Sequence, residues 1–91
     1  MTPYENELRE ELAWLKTPRG RRNRLTKFLN QVQETYEDEK RAYAQPFGQR
    51  WFLGRQVTHG MLRSSQWEIA LYERMLQEEQ YGGNQPNQSQ N

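Results

Sequence analysis

Leu25-Thr26-Lys27-Phe28-Leu29-Asn30-Gln31-Val32-Gln33-Glu34-Thr35-Tyr36 places its apolar side chains at i, i+3, i+4, i+7 and i+11. That spacing follows one face of a helix turning every 3.6 residues, and Tyr43 continues the face at i+18. The polar residues between them fall on the opposite side. Glu37 precedes Arg41 by four residues, the favourable order for a surface ion pair, and Glu34 and Asp38 read as solvated surface. Ala44-Gln45-Pro46-Phe47-Gly48 ends the pattern, because Pro46 disfavours helix at Gln45 and Gly48 supplies a turn. The periodicity predicts an amphipathic helix beginning near Asn23.

Upstream, Thr2-Pro3-Tyr4-Glu5 is a capping box with proline at the first helical position, so a helix begins there. Its stripe is Tyr4, Leu8, Leu12 and Leu15, and it stops at Lys16-Thr17-Pro18. Trp14 lies about 100° off that stripe, over Glu10 and Glu11, to be covered by a neighbour or left for a partner. Between Glu11 and Glu34 there are six cations and no acid. Arginines at a helix start oppose the macrodipole, so Pro18-Arg19-Gly20-Arg21 is expected as an exposed loop before a start at Asn23. Those four residues resemble the core of an AT-hook, although Arg22 stands where that motif has a second proline. The resemblance implies contact with the minor groove of A·T-rich DNA. A narrow minor groove attracts arginine through its enhanced negative potential. Arg19, Arg21, Arg22, Arg24 and Lys27 are therefore the candidate nucleic-acid contacts.

Downstream, Gly54 and Gly60 weaken a helix over 49–63, yet the period places Leu53, Val57, Gly60 and Met61 on one helical face. Arg55, His59 and Arg63, spaced by four, would form a basic ridge beside it. An anion suits that ridge, and so does pairing inside the fold with Glu68, Glu73 or the acids at 37–39. Ser65-Gln66-Trp67-Glu68 reads as a second capping box, opening a last helix over 66–81 that stops before Gly82-Gly83. Two apolar stripes run along it, one of Trp67, Ala70, Leu71 and Met75 and one of Ile69, Tyr72 and Leu76. Such a helix is expected to be covered on two sides, by its own core and by a second chain. The segment from Trp51 to Leu76, ending in Tyr72-Glu73-Arg74-Met75-Leu76, resembles the C-terminal dimerisation helices of PadR-type transcription regulators. That resemblance, too, implies self-association. Residues 82–91 hold no apolar side chain and are expected to be a disordered Asn/Gln/Gly tail after a helical domain at 1–81.

The residue inventory argues against catalysis. His59 is the one imidazole and cysteine is absent, so thiolate nucleophiles, thiolate metal sites and disulfides are excluded. Ser64 and Ser65 lie where capping accounts for both, and no glycine-rich phosphate loop occurs. Glu34, Glu37 and Asp38 share a helical side but offer too few oxygens for calcium. No catalytic, cofactor or metal residue is assigned, and no membrane span or signal peptide is read. A cytoplasmic protein is the default.

With 91 residues, a third of them apolar and 12% aromatic, the chain has one small core that leans on rings. The expected fold is all-α, a small bundle of three to four helices. Its core would comprise Tyr4, Leu8, Leu12, Leu15, Leu25, Phe28, Leu29, Val32, Leu53, Val57, Met61, Trp67 and Leu71. The expected function is a non-enzymatic protein-interaction or regulatory module, self-associating as a homodimer and docking through Trp14, Trp51, Arg55, His59, Arg63, Trp67 and Tyr72. The alternative is a nucleic-acid-binding or transcription-accessory protein using residues 19–27.

Overall fold

The computed structural model describes residues 2–82. It contains three helices, α1 (Pro3–Ala13), α2 (Pro18–Tyr43) and α3 (His59–Gly82). A 3-10 turn (Phe47–Gln49) and a hairpin of β1 (Trp51–Phe52) and β2 (Arg55–Gln56) join α2 to α3. The tail expected over 82–91 lies, from 83 onward, outside the described residues.

Each helix opens on a threonine whose hydroxyl accepts the amide three residues on: Thr2 from Glu5 at 3.1 Å, Thr17 from Gly20 at 3.0 Å, and Thr58 from Met61 at 3.2 Å. A cap of this kind satisfies one of the amides a helix start leaves free. Two expected boundaries are corrected by it. The second helix starts at Pro18 rather than near Asn23, because Thr17-Pro18 repeats the cap and first-position proline of Thr2-Pro3. The arginine run is therefore helix, not loop. The last helix starts at His59 rather than at Gln66, which puts Ser65 in its interior. There Ser65 is buried and its hydroxyl donates to Glu39 Oε1 at 2.7 Å instead of capping anything.

The expected helical face of Leu53, Val57, Gly60 and Met61 does not form. Chain reversal takes place in a two-residue loop, with Trp51 opposite Gln56 and Phe52 opposite Arg55. Leu53 (φ 53°) and Gly54 (φ 77°) are both left-handed, the arrangement of a type I′ hairpin turn. Gly54, a weakness in a helix, is what this turn requires. Leu53 stands at the apex, 82% exposed, outside the core where it was expected. Val57, leaving the hairpin, is fully buried, and its amide donates to the Arg50 carbonyl at 2.6 Å.

α2 and α3 run side by side, and α1 lies along the groove they form. Leu8 and Leu12 of α1, Leu25 and Val32 of α2, and Leu71, Tyr72 and Met75 of α3 make one buried cluster. Leu15, Phe28, Leu29, Ile69 and Leu76 pack partly buried against it. Leu71 and Met75 of one α3 stripe and Tyr72 of the other are buried within the chain, and Ile69 and Leu76 partly so, while Trp67 and Ala70 remain exposed. Trp67 and Tyr4, expected inside, are at the rim with ring centroids 6.2 Å apart, and Met61 is half-buried. The surface pair expected between Glu37 and Arg41 is replaced by Lys40 with Glu37 at 3.0 Å and Arg41 with Asp38, each three residues apart.

Charge fastens α1 in place. Glu5 is buried and accepts from Arg9 at 2.9 Å and from Arg74 of α3 at 3.2 Å, while Arg9 also reaches Glu78 at 3.2 Å. The Glu5 carboxylate is thus spent on guanidinium groups, although its amide does meet the Thr2 hydroxyl. The Arg9 hydrogen bond, with help from the Arg74 charge, holds the Glu5 carboxyl below its ordinary range despite burial.

Candidate interaction surface

The residues expected to contact a partner are spread along the molecule rather than gathered in one patch. Trp14, at the turn after α1, is 81% exposed. Trp51, Arg55, His59 and Arg63 are at the other end, about 39 Å away along the 26 residues of α2. Trp67 sits between them, against Tyr4. Tyr72 does not reach the surface: it is 4% exposed, its ring lies tilted against Phe28 with centroids 5.8 Å apart, and its hydroxyl meets the Tyr4 hydroxyl and donates to Glu68 Oε1 at 3.5 Å. Burial, then the hydrogen bond to Tyr4, pushes its hydroxyl far above the ordinary tyrosine range. Tyr72 is a core residue, and its expected role in docking is corrected accordingly.

The basic segment is partly consumed by the fold. Arg21 donates to Glu79 of α3 and to the Leu15 carbonyl, both at 2.9 Å, fastening the α1–α2 turn to the end of α3. Arg24 pairs with Glu11 at 2.9 Å. Among the described residues, Arg19, Arg22 and Lys27 make no ion pair. Because Pro18, Arg19, Gly20 and Arg21 are helical and Arg21 is engaged, the extended arm that an AT-hook lays in a minor groove is not formed here.

The hairpin end is different in kind. Phe47 is 73% exposed and Trp51 56%, and with Leu53 they form an apolar tip beyond the ends of α2 and α3. Arg50 is held beside them, its guanidinium 4.5 Å from the Tyr43 ring centre and 5.6 Å from that of Phe47, with Nε donating to the Gln45 carbonyl at 2.9 Å. Trp51 Nε1 donates to the Gly48 carbonyl at 3.2 Å, which anchors the 3-10 turn to the hairpin. Arg55 lies in β2 while His59 and Arg63 lie on α3, so the expected helical ridge is split between two elements. Neither arginine ion-pairs among the described residues. Residues 40–67 contain no acid, and the whole tip is therefore apolar and cationic.

The sequence reading missed Phe47, Arg50 and Leu53. Leu53-Gly54 between Trp51-Phe52 and Arg55-Gln56 is a hairpin signal in retrospect, since glycine frees the second turn position. It also missed Glu39, 6% exposed, which falls seven residues after Val32 on the core face. With Glu68 it borders a cleft of about 730 Å³ between α2 and α3. Desolvation raises the Glu68 carboxyl above its ordinary range, and the charge of Glu39 adds to this.

No protein-family model, curated protein or solved structure matches this chain. Among the described residues, no helix is long and apolar enough to cross a membrane and no group of three or more acid or imidazole side chains could hold a metal ion.

Proposed function

We propose that this chain is a non-enzymatic, cytoplasmic interaction module that docks on a protein partner through its hairpin tip. The observation that carries the reading is Leu53, a leucine held at positive φ and exposed at the apex. Left-handed backbone costs a leucine about 1–2 kcal/mol, and asparagine serves the same turn at less cost. Neither stability nor solubility accounts for that choice, whereas an anchor entering a pocket does. Phe47 and Trp51 widen the anchor, and Arg50, Arg55 and Arg63 supply a charged rim. Self-association has no part in this reading, which rests on the hairpin tip alone, although Trp67 and Ala70 of α3 remain exposed.

The test is photo-crosslinking in cells that produce the protein, with p-benzoylphenylalanine replacing Phe47. One discrete protein adduct is expected, lost on Trp51→Ala or Leu53→Asn and retained on Trp14→Ala. No adduct from the tip, or an adduct indifferent to Trp51 and Leu53, would refute the assignment.

A second reading is favoured by Arg19, Arg22 and Lys27, which remain without ion pairs on α2. As phosphate contacts on duplex DNA they would give a log-affinity against log-salt slope of about −2.7, at roughly −0.9 per contact. Binding that ignores salt would eliminate it.

A further inference from the structure

α1 fills only part of the groove between α2 and α3. On α2 the groove-facing positions run Arg21, Leu25, Phe28 and Val32 beneath α1, and continue with the same spacing to Thr35 and Glu39. On α3 the matching row is Met75 and Leu71 beneath α1, then Glu68, Ser64 and Met61. The 730 Å³ cleft is thus the uncovered continuation of the seat of α1. From Gln31 to Glu39 it is about 12 Å long, roughly two turns of helix.

We infer that this uncovered half of the groove receives a short basic amphipathic helix from a partner protein, with a Lys or Arg placed between Glu39 and Glu68. The shape argument comes from α1, which already occupies the same groove as a helix with Leu8 and Leu12 turned inward. Half-buried Met61 offers an apolar contact of the same type next to the carboxylates. The charge argument is independent of shape. Glu39 is buried with Ser65 as its hydrogen-bond donor, and although Arg55 of β2 also lines the cleft, no cation ion-pairs with Glu39 or Glu68 among the described residues. A cation entering between them would offset the desolvation that chiefly raises the Glu68 carboxyl, together with the smaller repulsion from Glu39. A second copy of the chain fits poorly, since a two-fold contact of this face would set Glu39 and Glu68 against the same residues. This surface is separate from the hairpin tip, and either can fail alone.

The experiment is selection from a phage-displayed library of 12-residue peptides against the full chain, followed by affinity measurement and amide NMR mapping. Enriched peptides should carry Lys or Arg beside leucines, shift the amides of Thr35, Ser64 and Glu68, and bind at least tenfold more weakly to the Glu39→Gln, Glu68→Gln double variant. The glutamine amide oxygen introduced by Glu39→Gln still accepts from Ser65, so the fold is preserved, and a thermal melt verifies it. Thr35→Lys, which brings a cation of the chain's own beside the carboxylates, should weaken binding similarly. The inference is overturned if no peptide is enriched, if binding ignores all three substitutions, or if the shifts fall on Phe47, Trp51 and Leu53. A concentration-dependent dimer that perturbs the cleft amides would assign the groove to a second copy instead and overturn it equally.

Discussion

Two substitutions six residues apart decide whether α2 begins at Pro18 or near Asn23. With Thr17 as the cap, its hydroxyl accepts from the Gly20 amide at 3.0 Å, and Thr17→Ala leaves that amide to water. Losing a threonine cap costs about 1 kcal/mol. In a domain of this size that lowers Tm by about 4–8 °C. Asn23 is an exposed residue of the second turn, where alanine is the better helix former, so Asn23→Ala should be neutral or stabilising by about 0.5 kcal/mol. A start near Asn23 reverses both signs: the asparagine becomes the cap whose loss is felt, and Thr17 becomes a dispensable loop residue. Thermal and urea unfolding followed by helical circular dichroism measure the two differences on one native baseline. An unchanged Tm for Thr17→Ala together with a loss of about 1 kcal/mol for Asn23→Ala would refute the capped start, and with it the argument that removes the AT-hook conformation.

Three further outcomes follow from the same structure. Leu25 is fully buried in the three-helix cluster, so Leu25→Ala should cost about 2–5 kcal/mol in urea unfolding; a loss under about 1 kcal/mol would disprove that packing. Leu53→Asn should leave stability unchanged or slightly higher, because relief of left-handed strain offsets the little burial lost, while abolishing the tip crosslink; a clear loss of Tm would show a structural role for Leu53. Acid titration should separate two carboxyls. Glu5 is held low, so its contribution is present above the ordinary value of 4.5 and fades as pH falls, and Glu5→Gln should lower Tm at pH 7 with a shrinking difference in acid. Glu68 is held high, so its ionisation costs stability above its raised value, and Glu68→Gln should raise Tm at pH 7 and lose that advantage as pH falls. Equal pH profiles for the two variants would contradict both assignments.

Most of what the chain does locally was legible in its residues. The face of Leu25, Phe28, Leu29, Val32 and Tyr36 predicts α2, Pro46 predicts its end, and Thr2-Pro3 predicts the start of α1, because each rests on backbone sterics or helical period alone. The errors share a cause. Ser65-Gln66-Trp67-Glu68 has the composition of a cap, but composition cannot reveal that Thr58 has already opened the helix or that Glu39 of another helix claims the Ser65 hydroxyl. Leu53 and Gly54 fit a helical period while belonging to a turn, since over so short a stretch the period cannot tell one from the other.

Exposure of Trp14 was one of the two outcomes its position allowed; the burial of Tyr72 and the exposure of Leu53 could not be foreseen. By itself the sequence determined a mostly helical chain, the face α2 turns inward, and a stretch from 40 to 67 whose charged groups are all cationic. Tertiary structure alone decided which charges remain available, with Arg21 and Arg24 spent on Glu79 and Glu11 while Arg55 and Arg63 are left without ion pairs at the tip, among the described residues. It also decided that Glu39 is buried. The reason is geometric: helical period depends on neighbours along one chain, whereas pairing and burial depend on which helix lies opposite, and that is set only when α1 settles into the groove of α2 and α3.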